Sequence, residues 1–333
     1  MTAAVTGAPG WLGTRLVDIL LHGIEGQGPR IPHGDVRCLV YPGQEEVLRL
    51  SFGDEVRIVS GDITRPETLS GIFDGVETVF HAAAVVHASR AKTYFDVNTE
   101  GTKKLLGKAI EAGVRRFIYV SSNAVYGFRR GDEPLACSED DPVRPYMAYG
   151  WSKYKAEQAV LEASRRGLIE GVVIRPCWYY GPNQPEGQIR FLRMIASGRP
   201  VLFGGGRNWL SVSHIDNVIQ LLLLAAASPR AVNQVYNVAD RQPCRLIDYY
   251  TTVARHAGIR DLRPLRVPSV LVDACYQADL LLHAFGICFG VLHGAGKMNK
   301  NMVSSIEKAK RELGYDPAVE LDQGMRLAMH GII

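Results

Sequence analysis

The sequence has no paired cysteine motif. Its 333 residues include six Cys, at positions 38, 137, 177, 244, 275 and 288, with no CxxC pair and no His nearby at metal-ligand spacing. That argues against a zinc ribbon or a disulfide framework; free thiols in a reducing compartment, and no metal, are expected. Excess charge is also lacking, since 38 Lys and Arg against 34 Asp and Glu leave a net +4. The arginine pairs Arg115–Arg116, Arg129–Arg130 and Arg165–Arg166 are scattered, as solvated helix ends and loops would be, so no nucleic-acid partner is expected. There is no internal repeat and no low-complexity tract. The apolar stretch from Leu280 to Leu292 falls short of the ~20 residues that span a bilayer. No signal peptide is expected, because AAVTGAPG already reads as a strand entering a glycine turn at residue 3, which implies a cytoplasmic protein.

What is present is an ordinary globular composition, 47% hydrophobic and 22% charged, long enough for a large core. Strands are expected at Ala3–Thr6, Val36–Val40, Arg57–Ser60, Thr78–His81, Phe117–Ser121 and Val172–Arg175. Between them, helical patterns fall at Trp11–His22, Glu45–Leu50, Glu67–Phe73, Thr93–Ala112 and Tyr146–Arg166. Strands alternating with helices predict an α/β protein with a doubly wound, Rossmann-type parallel sheet. Gly23–Gly34 reads as a surface loop. After about residue 177 turn-rich segments separate helices at Ile189–Ser197 and His214–Ala227, and QVYNV reads as a strand. The expected division is a dinucleotide-binding domain over 1–176, with returning segments near 208–240. A smaller, mixed substrate lobe would comprise 177–207 and 241–333.

The first turn, VTGAPGWLG, sets Gly7, Gly10 and Gly13 as GxxGxxG straight after a strand, with Trp11 and Leu12 opening a helix. Gly7 permits the tight turn, Gly10 lets backbone approach a pyrophosphate, and Gly13 allows close helix–strand packing. A diphosphate would face the free N–H groups of the helix. The bland alternative is a tight strand–helix turn. The second strand ends in Val40 and Tyr41, where a carboxylate would select NAD(H) and an arginine NADP(H). Neither is present, so the preference stays open.

In YGWSK, Tyr149 and Lys153 are four residues apart and share a helix face. A nearby cation favours the phenolate, making a Tyr that titrates near ~10 a usable acid or base. A core aromatic beside a solvent-facing lysine would leave the same spacing.

Together, GAPGWLG, GDIT (61–64), HAAA (81–84), VNTEGT (97–102), SSNAVYG (121–127), YGWSK and RPCWYYGP (175–182) resemble an extended short-chain dehydrogenase/reductase, of the NAD-dependent epimerase/dehydratase superfamily, over nearly the whole chain. The resemblance implies that Asp62 and Ile63 flank an adenine, that Ala82, Ala83 and Ala84 lie along the cofactor and that Pro176 sits near the nicotinamide. It makes Tyr149 the proton donor or acceptor. Lys153 would lower the phenol's pKa and bond the nicotinamide ribose. Ser122 would hydrogen-bond the substrate oxygen, whereas strand alternation sends Ser121, next to the cofactor, to the other face. Asn98 resembles the residue that anchors the neighbouring helix, with a proton-relay role as the alternative. By position after strands four to six, Val85, Val86, Asn123, Tyr126, Trp178 and Tyr179 are candidate substrate contacts; His87 and His214 read as satisfied polar residues.

Three functions compete: a dehydrogenase or reductase acting on a secondary alcohol or ketone of an apolar small molecule, a nucleotide-sugar 4-epimerase, and a cofactor-binding regulator without turnover. The intact Tyr/Lys/Ser set argues against the regulator. Sugar-nucleotide members tend to carry an Arg that grips the diphosphate before a helix start. Here WLSVSHIDNV (209–218) has Leu210 and Ser211 there, with Arg207 nearby. SNA lacks the acidic pair of the 4,6-dehydratases. The apolar segment 267–293, interrupted by Asp273 and Asp279, reads as packing of the second lobe, as a lid over an apolar substrate, or as a peripheral membrane contact. Its position before EKAKRELGY (307–315) resembles the 3β-hydroxysteroid dehydrogenase and sterol-4α-carboxylate 3-dehydrogenase branch. A homodimer through the long helices flanking strand five is expected by resemblance.

Overall fold

Apolar residues of both parities along the short strands require a sheet covered on two faces. The computed structural model, which describes residues 2–24, 35–129 and 133–332, has that sheet. Most of the loop at Gly23–Gly34, and Arg130, lie outside the described residues. The first half runs β1 (Ala3–Thr6), α1 (Trp11–His22), β2 (Val36–Val40), α2 (Glu45–Phe52), β3 (Arg57–Ser60), β4 (Thr78–His81), α3 (Ala91–Tyr94), a π-helical segment Phe95–Gly101, α4 (Thr102–Glu111), β5 (Arg116–Val120), α5 (Met147–Arg165) and β6 (Glu170–Pro176). The second half adds β7 (Trp178–Tyr180), α6 (Glu186–Ala196), β8 (Val201–Phe203), β9 (Trp209–Leu210), β10 (Val212–His214), α7 (Ile215–Ala227), β11 (Gln234–Val238), β12 (Cys244–Arg245), α8 (Leu246–His256), β13 (Leu265–Val267), α9 (Ser269–Ala284), α10 (Gly290–Lys297), α11 (Glu307–Leu313) and α12 (Leu321–Met329).

Seven parallel strands form the main sheet in the order β3-β2-β1-β4-β5-β6-β11. Ala3 and Val5 face the core under α1 and α7, and Ala4 faces the core under α4 and α5. β5 alternates likewise, Ile118 and Val120 against Phe117 and Tyr119. The strand order reverses between β1 and β4, and ligands bind outside the carboxyl ends of strands at such a switch point. The buried Arg116 donates to the carbonyls of Ala225, Ala226 and Ser228, closing the C-terminus of α7.

Three expectations are corrected here. The helix read at Glu67–Phe73 is only a 3-10 turn, Pro66–Thr68; Gly71, at φ +79, leaves helical conformation and Leu69, Ile72 and Phe73 bury separately. The helix read at Thr93–Ala112 starts at Ala91 and passes through the π segment, the kind of irregularity that gathers at functional sites. The segment 267–293 is not core packing of the second lobe, because α9 buries only Val272 and Asp279 along its length. The second lobe instead closes on Tyr180, Leu192, Tyr249, Tyr250 and Met325, between α6, α8 and α12. α9 packs on α10, leaving Val270, Leu281, Phe285 and Val291 exposed. Among the described residues no helix is long and apolar enough to cross a membrane.

Candidate active site

At the mouth of β1 the backbone is pressed too close for side chains. Gly7 has φ +88, and a Cβ there would lie 2.7 Å from the carbonyl carbon of Ala82 and the nitrogen of Ala83. A Cβ on Gly10 or Gly13 would meet the Gly7 oxygen at 2.6 or 2.5 Å. Gly10 caps α1 without a side-chain bond, so the helix N-terminus presents bare backbone N–H groups over a glycine cradle. That arrangement fits the pyrophosphate of a dinucleotide. Leu12 anchors α1 in the core, while Trp11 donates its indole N–H to the Pro182 carbonyl at 2.8 Å, tying the turn to the second lobe. Gly7→Ala is expected to abolish measurable dinucleotide binding and lower the unfolding temperature, both read by thermal denaturation with and without cofactor.

The other cofactor candidates ring the same edge with unequal roles. Tyr41 stands exposed beyond β2. Asp62 accepts the Thr64 N–H and hydroxyl, both at 2.8 Å, and so shapes the loop after β3. Ile63 packs into the core, where a Cβ on Gly101 would touch it at 2.9 Å. Ala82, Ala83 and Ala84 follow β4 beside Gly7, and the buried Pro176 ends β6 opposite Val238. Asn98, on the π segment, accepts from the Val85 N–H at 2.8 Å and donates to the Val85 carbonyl and the Ser152 hydroxyl. Both ends of its amide are thus used to fasten the loop after β4 to α5.

Gly150 explains how Tyr149 reaches the turn after β5. A Cβ at position 150 would meet the Ala124 oxygen at 2.8 Å, so only glycine lets α5 lie this close. Ser122 heads that turn, its hydroxyl accepting from the Ala124 N–H at 3.2 Å and lying against the Tyr149 phenol. Ser121 points the other way, as alternation requires, and is hydrogen-bonded to the buried Glu157.

Burial pushes the Tyr149 phenol up to about 12, with Ser122 pulling against it. The Lys153 amine is fully buried, donates to the Val120 carbonyl at 2.6 Å and lies 4.4 Å from the centre of the Tyr119 ring. Burial lowers its own pKa to about 7, with Glu157 opposing that fall. Between pH 7 and 10 the unfolded chain therefore carries a proton at Lys153 that the folded chain has shed, and stability rises with pH across that window. Subtracting the denaturation profile of Lys153→Met is expected to isolate this rise; a flat difference curve would contradict it.

A cavity of about 290 Å³ opens beside Tyr149. Tyr94, Met147 and Tyr149 form one wall and His283, Phe289 and His293, from the α9–α10 hairpin, the other. Met147 starts α5 at φ +53, a costly left-handed conformation for a non-glycine residue, two positions before Tyr149. None of the six candidate substrate contacts lines this cavity. Val85 is held by Asn98, Asn123 is buried, and Tyr126 bonds Asn237 and Arg175 in the core. Trp178 stacks on Tyr249 at 5.2 Å and Tyr179 meets Trp11 edge-on at 6.1 Å. His87, expected to be a satisfied polar residue, lines the cavity; His214 is buried and accepts the Asp216 N–H at the start of α7. His283, Phe289 and His293 were not singled out in the sequence because their approach to α5 leaves no periodic trace.

Several known proteins are similar along nearly the whole chain. An uncharacterized protein, y4nL, of Sinorhizobium fredii (strain NBRC 101917 / NGR234) is 32% identical, covering 97% of this chain and 92% of its own length. A 3-beta-hydroxysteroid dehydrogenase of Mycolicibacterium neoaurum is 29% identical over 96% and 88%. A UDP-glucose 4-epimerase of Vibrio cholerae is 28% identical over 97% and 92%. In fold, the chain is similar to DesIV, a dTDP-glucose 4,6-dehydratase from Streptomyces venezuelae solved with NAD and TYD bound, with TM-score 0.78, 24% identity and coverage of 99% and 96%. Residues 3–239 match the family described as NAD dependent epimerase/dehydratase, and the chain belongs to that family.

Proposed function

We propose that this chain is an NAD(P)-dependent oxidoreductase that interconverts a secondary alcohol and a ketone on a hydrophobic, sterol-like or β-hydroxy/β-keto lipid-like molecule. The observation that carries the reading is the cavity beside Tyr149, where Tyr94, Met147 and Phe289 supply apolar wall next to His87, His283 and His293. A nicotinamide dinucleotide on the glycine cradle supplies the site that takes up or gives back hydride. The protein's part is proton transfer and alignment. Tyr149 gives or takes the proton on the substrate oxygen, Ser122 donates a hydrogen bond to that oxygen, and the Lys153 amine is held on the Val120 carbonyl at the end of β5. With neither a carboxylate nor an arginine at Tyr41, either dinucleotide is accommodated at that point.

The epimerase reading draws support from the similar UDP-glucose 4-epimerase. The local chemistry favours the dehydrogenase: Ser211 accepts the Ser304 N–H at 3.1 Å, Leu210 is paired in β9, and Arg207 is exposed to solvent. No guanidinium thus stands at the two positions where a sugar diphosphate would be gripped. The test is a parallel screen of sterols, β-hydroxy acids and nucleotide sugars for change in nicotinamide absorbance. Net reduction of dinucleotide with an apolar alcohol is expected. Conversion of a nucleotide sugar with no net absorbance change would replace the proposal by the epimerase.

A further inference from the structure

No metal was expected from the cysteine and histidine spacings, yet the lid gathers a ligand set from two helices. Asp279 and His283 lie one turn apart on α9 and His293 lies on α10, and one ligand atom from each falls within 4.8 Å of the other two. Asp279 is fully buried. Its Oδ2 accepts from the Tyr146 hydroxyl at 3.3 Å and lies 3.2 Å from His293 Nδ1. Its Oδ1 has no hydrogen-bond partner, although His283 Nδ1 is 3.3 Å away, because that nitrogen is directed to the Asp279 backbone carbonyl at 3.0 Å. His283 Nε2 lies 3.3 Å from Cys288 Sγ. Lys297 is the competing cation near this carboxylate.

A buried carboxylate oxygen without a donor costs free energy that a bound cation recovers. Two imidazoles and a carboxylate are a donor set for borderline divalent ions, and a ring nitrogen bonded to a backbone carbonyl is how such histidines are oriented. We propose that Asp279, His283 and His293 bind one divalent transition-metal ion of the zinc class. The ion pins α10 to α9 and holds the lid over the cavity opposite Tyr149.

The test uses the untagged full chain, stripped with a chelator and titrated with Zn²⁺ by calorimetry. One equivalent is expected to bind, with a rise in unfolding temperature and slower hydrogen exchange across residues 269–297. Asp279→Asn, His283→Ala and His293→Ala should each weaken binding at least about tenfold. His256→Ala, which removes an imidazole that meets Asp322 on α12, should bind as the parent does. Cobalt added to the unmutated chain supplies a readout independent of variant folding: ligand-field bands distinct from aqueous Co²⁺ are expected. An aqueous cobalt spectrum, no stoichiometric zinc, or undiminished binding by Asp279→Asn and His293→Ala overturns the proposal. The first two outcomes would mean that Asp279 stays buried beside Lys297 without an ion. Binding is read without substrate or dinucleotide, so failure here leaves the oxidoreductase reading standing.

Discussion

Tyr149→Phe is expected to lower turnover by about 100- to 10,000-fold while dinucleotide affinity stays near that of the parent chain. The loss is that of a general acid or base, because the phenol is the hydroxyl that α5 presents to the cavity beside Ser122. The ring itself packs edge-on against Tyr94 at 6.0 Å, and phenylalanine preserves that contact. Folding and the cradle at Gly7 are therefore spared. The cavity holds other proton carriers, His87, His283 and His293. Should one of these serve the substrate oxygen, Tyr149→Phe would turn over at close to the parent rate, and the proton assignment would fail. Single-turnover rates with saturating dinucleotide separate the two outcomes.

The second large effect is on stability. Glu157 is wholly buried and accepts from Arg175 Nε at 3.0 Å and from its terminal nitrogen at 2.7 Å, while also bonding Ser121. Its removal in Glu157→Ala strands a guanidinium of which 4% is exposed. Breaking one side of such a pair costs about 3–5 kcal/mol, because the remaining charge is left without compensation. For a chain of 333 residues that corresponds to a fall in unfolding temperature of roughly 4–7 °C, followed by far-UV circular dichroism. The same variant takes away the carboxylate that opposes the lowering of the Lys153 pKa, so the amine should deprotonate at still lower pH. A stability loss below about 1 kcal/mol would show that Arg175 is held adequately by the Tyr126 hydroxyl alone.

Much of the fold was legible because its signals are local. Near-continuous apolar character along VRCLV and RFIYV needs no knowledge of what covers each face, only that both are covered. The glycine turn was legible for a related reason: Gly7, Gly10 and Gly13 crowd one another's backbone within a single turn. Tyr149 and Lys153 were located by spacing on one helix. Their burial was not, since the Val120 carbonyl and the Tyr119 ring that enclose the Lys153 amine are not encoded in the residue pattern of α5. The helix expected at Glu67–Phe73 failed where Gly71 and three separately buried apolar residues outweighed local propensity.

By itself, then, the order of residues determined the parallel sheet, the cradle at its switch point and the serine, tyrosine and lysine gathered at the ends of β5 and α5. Those features depend on alternation, helical spacing and tight turns, which act over a few residues. The tertiary structure alone decided which side chains face the cavity and how its phenol and amine are charged. It also decided that the stretch 267–293 folds back on itself and brings Asp279, His283 and His293 together. These depend on chain segments far apart in sequence meeting in a low-dielectric interior, where burial rather than nearest-neighbour charge dominates.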